Sequence, residues 1–85
     1  MIPMYYTYLL ECIDGTYYIG STIDLDRRVH EHNHAKRGAH YTKIRRPVVL
    51  RYHEIFDTLH SARVRECELK KLSRKEKEEL IGKCS

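Results

Sequence analysis

The sequence has few of the features that staple a small protein together, and no stretch long enough to cross a membrane. Three of its 85 residues are cysteine, Cys12, Cys67 and Cys84, and none stands in a CxxC pair. An odd count without paired spacing argues against a disulfide framework and against a zinc knuckle. It fits reduced thiols in a reducing compartment. No apolar run approaches the ~20 residues that span a bilayer. Met1-Ile2-Pro3-Met4 is too short for the apolar core of a signal peptide, and strand-forming residues follow at once. The expectation is a cytoplasmic protein with no membrane partner. Repeats, linkers and low-complexity segments are absent too, so residues 1–85 read as one domain with a thin core.

What is present is charge, most of it basic. Charged residues make up 33% of the chain and the net charge is +4. The basic residues concentrate at Arg27-Arg28 and between Lys36 and Arg51. That is a moderate footprint for a polyanion, and weak evidence alone.

The apolar pattern divides the chain into six elements. Residues 4–12 and 16–22 are aromatic and β-branched and read as strands. Asp14-Gly15 between them marks a hairpin. A two-residue turn would put Tyr8 and Tyr18 on opposite faces. A three-residue loop, Ile13-Asp14-Gly15, with Gly15 left-handed, would put them on one face. The residues permit both. Asp24 can cap a helix over 25–34. Residues 35–46 lack an apolar period and read as a basic loop containing Gly38. A third strand is expected over 48–55, after Pro47. Asp57-Thr58 would cap a helix over 59–72 with Leu59, Ala62, Glu66, Leu69 and Leu72 on one face. Ser73 and Glu76 form a capping box for a last helix over 74–81, which Gly82 would end. The fold class is therefore α/β (α+β). A three-stranded antiparallel sheet with flanking helices is expected, in the order β-β-α-β-α-α.

Three polar residues fall on the inward stripes of these helices. Leu25, Arg28, Val29 and His32 share one arc of the first helix, while Arg27, His30 and His34 lie on the other. Glu66, unlike Glu68, sits within the apolar arc of the second. Burying unpaired charge is costly. Either Arg28 and Glu66 form a structural ion pair, or the three residues line a cleft near the clustered tyrosines. Five of the seven tyrosines lie in the first hairpin. Three sites together favour the cleft. A competing motif, H-E-x-x-H at His30 to His34, has the spacing of a zinc protease. It falls on the solvent side of the helix, and spacing places no third ligand.

Tyr6-Thr7-Tyr8, then Tyr18-Ile19-Gly20-Ser21-Thr22, then Asp24-Leu25 and Arg27-Arg28, then His32, then Glu66 ahead of Lys70-Lys71-Leu72 resembles the GIY-YIG nuclease family. The likeness covers about residues 5 to 81, and is nearest to small stand-alone bacterial members. It implies an endonuclease hydrolysing phosphodiester bonds in DNA, with RNA as the alternative. Tyr8 and Tyr18 stand at the two motif tyrosines, Arg28 at the family arginine, His32 at the histidine many members carry, and Glu66 at the metal-binding glutamate. The likeness also selects the three-residue hairpin loop. Two departures stand out: Tyr6 replaces the first motif glycine, and no asparagine follows Asn33.

One carboxylate, Glu66, suits a single Mg²⁺ or Mn²⁺ with water in most positions. Arg28 would grip the phosphate as a fork of donors. A tyrosine with the ordinary pKa of ~10 is a poor base at neutral pH. It would need a nearby cation or a neighbour that takes its proton, and His32 is that neighbour for Tyr8. Which tyrosine activates water is left open by the residues. Lys36, Arg37, Tyr41, Lys43, Arg45 and Arg46 are candidates for nucleic-acid contact. Nothing appended reads base sequence, so a structure-selective or weakly selective enzyme, in DNA repair, is the leading expectation. The alternatives are a catalytically weak nucleic-acid-binding module and a subunit that needs a protein partner.

Overall fold

The computed structural model of the protein describes residues 4–34 and 44–84. The expected basic loop, including Lys36, Arg37, Gly38, Tyr41 and Lys43, lies largely outside them. Six elements follow in chain order: β1 Tyr5–Glu11, β2 Tyr17–Thr22, α1 Leu25–His34, β3 Val49–Phe56, α2 Leu59–Lys70 and α3 Arg74–Cys84. The sheet is antiparallel in the order β2-β1-β3.

The hairpin takes the three-residue loop. Tyr8 pairs with Gly20 and Leu10 with Tyr18. Gly15 has φ +83°, a left-handed conformation that costs glycine little. The Asp14 carboxylate accepts hydrogen bonds from Thr16 N at 3.1 Å and Thr16 Oγ1 at 2.6 Å, closing the turn. Arg74 donates to the Gly15 carbonyl at 2.6 Å, tying the turn to α3.

Central strand β1 is covered on both faces, so Thr7, Tyr8, Leu9 and Leu10 are all buried in a continuous run. On one face Tyr8, Leu10, Cys12 and Val48 form a cluster closed by Tyr18, Leu25, Val29 and Leu50. Here α1 packs. On the other, Leu9, Ile19 and Leu69 meet Tyr17, Tyr52, Leu72, Leu80 and Ile81, contributed by α2, the turn after it, α3 and the sheet. Thr7 Oγ1 donates to the Ala62 carbonyl at 2.6 Å and joins β1 to α2 on that face. The register of β3 against β1 slips by one between Leu9 and Leu10, which leaves Arg51 as the extra residue of a bulge. Its guanidinium reaches Glu11 at 2.8 Å.

Some boundaries differ from those the sequence suggests. Strand β3 runs one residue later than expected. Helix α2 ends at Lys70 because the Lys71 N–H bonds back to Glu68, tightening the last turn before Ser73 restarts the chain. The Ser73–Glu76 capping box forms, with hydrogen bonds of 3.0 and 3.2 Å. Gly82 does not end α3. Its φ is not positive, and the helix continues to Cys84. Leu59 is 37% exposed, so the α2 contact with the sheet begins at Ala62 rather than in the first turn. Cys12 and Cys67 are free thiols. Among the described residues no helix is long and apolar enough to cross a membrane.

Candidate active site

Helix α1 starts where β2 ends. The Asp24 carboxylate accepts from Arg27 N at 3.1 Å, which caps the helix and sets its rotation. Leu25 and Val29 then anchor in the β1–β2 cluster. One turn apart on the same stripe, Arg28 and His32 are carried to the tyrosine face of the sheet. His32 is fully buried. Its Nε2 lies 2.9 Å from the Tyr8 hydroxyl, and its ring centroid lies 5.0 Å from that of Tyr18. The Tyr8 and Tyr18 rings are 6.4 Å apart. These three rings form one compact aromatic set, as expected if both tyrosines share a face.

Gly20 makes this possible. A Cβ at Gly20 would sit 2.5 Å from the Tyr8 hydroxyl oxygen and 2.7 Å from Cζ. The glycine leaves room for the Tyr8 ring itself.

Burial pushes the Tyr8 hydroxyl up to about 12, an effect the adjacent Arg28 guanidinium only partly offsets. Burial, helped by the Arg28 charge, pushes His32 down to about 4. At neutral pH His32 is therefore an uncharged imidazole and Tyr8 a protonated phenol. The two share one hydrogen bond between uncharged groups, with a single proton between the hydroxyl oxygen and Nε2. Burial works against the Arg28 charge, but Tyr8 and Glu31 more than restore it. The Arg28–Glu31 pair spans 3.4 Å.

Glu66 comes from α2, which packs on the opposite face of the sheet, and meets Ser21 of β2. One carboxylate oxygen accepts a short hydrogen bond from Ser21 Oγ, and the other is 2.7 Å from Lys70 Nζ. Burial disfavours its charge, but the Lys70 and Ser21 hydrogen bonds outweigh this and hold it below the usual carboxylate range. Its charge is among those that raise Tyr8. The Arg28–Glu66 ion pair that spacing allowed is not formed. Among the described residues, Arg28 pairs with Glu31 and Glu66 with Lys70.

Other candidates fall elsewhere. His30 and His34 are exposed with ring centroids 4.5 Å apart, on the solvent side of α1. Arg45 pairs with Asp14 at 2.9 Å. Arg46 donates to the His32 carbonyl at 2.5 Å and the Glu31 carbonyl at 3.3 Å, covering the end of α1. Both arginines thus hold loops in place. Lys36, Arg37, Tyr41 and Lys43 lie outside the described residues. Sequence reasoning passed over two contributors. Ser21 orients Glu66, and Lys70 neutralises it. The Glu66–Lys70 spacing of four was the available signal.

Fold and polar cluster together match known proteins. The family model described as the GIY-YIG catalytic domain matches residues 4–79. A UPF0213 protein of Halobacterium salinarum is 53% identical over 78 residues, covering 92% of this chain and 100% of that one. One from Syntrophus aciditrophicus is 50% identical over 76 residues, covering 89% and 87%. Among solved structures, a protein from E. faecalis has a TM-score of 0.63 at 41% identity, covering 94% and 84% of the two chains. A UPF0213 protein from Bacillus halodurans has a TM-score of 0.59 at 42% identity, covering 93% and 83%. This chain belongs to the GIY-YIG family. That family comprises endonucleases, so its substrates are nucleic acids, and its members generally use a divalent metal ion.

The residues present fit such an ion. Among the described residues no three His, Cys, Asp or Glu side chains converge, so Glu66 would be the single protein carboxylate. A carboxylate offers about four lone-pair positions, and Ser21 and Lys70 occupy one on each oxygen. The donor set suits a hard cation that keeps most of its shell as water.

Proposed function

We propose that this protein is a metal-dependent endonuclease that hydrolyses phosphodiester bonds in DNA, selecting its substrate by structure rather than by base sequence, with a role in DNA repair. The observation that carries this reading is the meeting, around one strand, of the Tyr8–His32 pair, Tyr18 and Arg28 with the Ser21-held carboxylate of Glu66.

The roles follow from burial and charge. Arg28 remains cationic and presents fixed donors, so it binds the phosphate and stabilises charge developing on its oxygens. Tyr8 is buried and keeps its proton, which it shares with His32; the pair holds the aromatic wall in place. Tyr18 is only half-buried and lines a surface groove, so its hydroxyl is the one that can meet an attacking water and take its proton. A tyrosine base works as the phenolate. Glu66 would hold Mg²⁺ or Mn²⁺, which supplies charge stabilisation at the leaving oxygen. The basic candidates Lys36, Arg37 and Lys43, with Tyr41, are proposed from the sequence for backbone contact and stacking.

The test is incubation of the pure protein with branched, single-stranded and duplex DNA, with and without Mg²⁺ or Mn²⁺, beside Glu66→Ala. Cation-dependent cutting that Glu66→Ala abolishes is the expected result. Binding without cutting would replace this reading with a nucleic-acid-binding module. Neither binding nor cutting would point to a missing protein partner.

A further inference from the structure

Among the described residues β2 is an edge strand, and the groove that Tyr18 lines continues along it past the groups the mechanism above uses. It is an open groove of about 220 Å³, lined by Tyr17, Tyr18, Ile19, Lys70 and Lys77. Tyr18 links it directly to the Tyr8–His32 set. Tyr17, Tyr18 and Ile19 of β2 form its wall, and one lysine from each of α2 and α3 lines it too.

The lysines differ. Lys70 is engaged by Glu66. Lys77 is half-buried, yet its ammonium makes no hydrogen bond or ion pair among the described residues. Its neighbour Arg74 is fully committed, to the Gly15 carbonyl at 2.6 Å, to Glu78 at 3.1 Å and to the Tyr17 ring at 5.0 Å. A cation held partly out of water without an anionic partner favours an anion from outside. The combination of aromatic wall and positive rim is what single-stranded nucleic acid requires: rings for a base, ammonium groups for the backbone.

We propose that this groove seats one unpaired nucleotide of the DNA strand next to the scissile phosphate, with Lys77 binding its phosphate and the tyrosine wall its base. This rests on the endonuclease reading and narrows its substrate to DNA with an unpaired segment beside the cut.

The test uses fluorescence anisotropy in EDTA, so that cleavage plays no part. Wild type and Lys77→Ala are titrated with a labelled single-stranded oligodeoxynucleotide and with a blunt duplex across a range of salt. Lys77→Ala is expected to weaken single-strand binding roughly three- to tenfold and to flatten the salt slope by about 0.7, the value for one phosphate contact on a single strand. Duplex binding should stay unchanged, and so should the melting temperature, because the side chain bonds to nothing described. Unaltered affinity and slope on the single strand would overturn the groove and leave the endonuclease reading standing. An equal loss on the blunt duplex would overturn the assignment to an unpaired nucleotide. Wild type that binds neither DNA would overturn both.

Discussion

Gly20 lies against the ring of Tyr8, across the β1–β2 ladder, with no room between them for a methyl group. The residue that carries the proton shared with His32 is therefore positioned by the absence of a side chain two residues beyond Tyr18. Gly20→Ala should displace the Tyr8 ring. Overpacking of this kind costs about 1–3 kcal/mol. Misplacement by ~1 Å costs roughly a hundredfold in rate, so cleavage should fall at least tenfold. Thermal denaturation and a cleavage assay measure the two effects. A variant with wild-type melting and activity would show that the sheet yields without moving Tyr8.

The burial of His32 makes stability depend on pH. His32 is lowered to about 4 in the folded protein, against about 6.5 when unfolded. Between these values the unfolded chain binds the proton first, so acidification favours unfolding. The contribution of neutral His32 is complete above about 6.5 and is lost as pH falls toward 4, at up to about 1.4 kcal/mol per pH unit. Melting temperature followed from pH 7 to 4 should fall more steeply for wild type than for His32→Gln. Parallel curves would remove His32 from the explanation.

Deleting the hydroxyl tests the same contact from the other side. Tyr8→Phe removes the hydroxyl bonded to Nε2 of a fully buried imidazole, at a cost of about 1–3 kcal/mol. Urea unfolding at neutral pH would read this as a lower midpoint with an unchanged slope.

Arg28 stands close enough to depress His32. Arg28→Met should therefore raise the His32 pKa above about 4, visible as a shifted imidazole titration by NMR. Cleavage should be lost with it. Arg28→Lys keeps the charge but not the fork, and should restore the titration better than the activity. Equal recovery of both would argue against fork-like phosphate binding.

Glu66→Gln keeps the size of the side chain and an acceptor for Ser21 Oγ, while removing the charge. The lost pair with Lys70 is partly exposed, and such pairs contribute about 0–1 kcal/mol, so folding should be nearly unaffected. Cation-dependent cutting should fall by roughly a hundredfold or more. Activity within a few-fold of wild type would remove Glu66 from the mechanism.

The sequence by itself determined the element order, the inward turn of Arg28, His32 and Glu66, and the helix caps, because helical period and local hydrogen bonds are encoded within a few residues. It permitted two hairpin registers, since both satisfy Asp14-Gly15; family likeness chose between them, and the observed ladder agrees. Only the tertiary structure decided which charges pair. Glu31 and Arg28 meet within α1, but the Ser21–Glu66 contact joins residues 45 positions apart and depends on how α2 crosses the edge of β2. The same holds for Tyr8 and His32, 24 positions apart, whose opposed shifts come from shared burial. No pattern of residue types carries that, because burial belongs to the packed sheet between its helices.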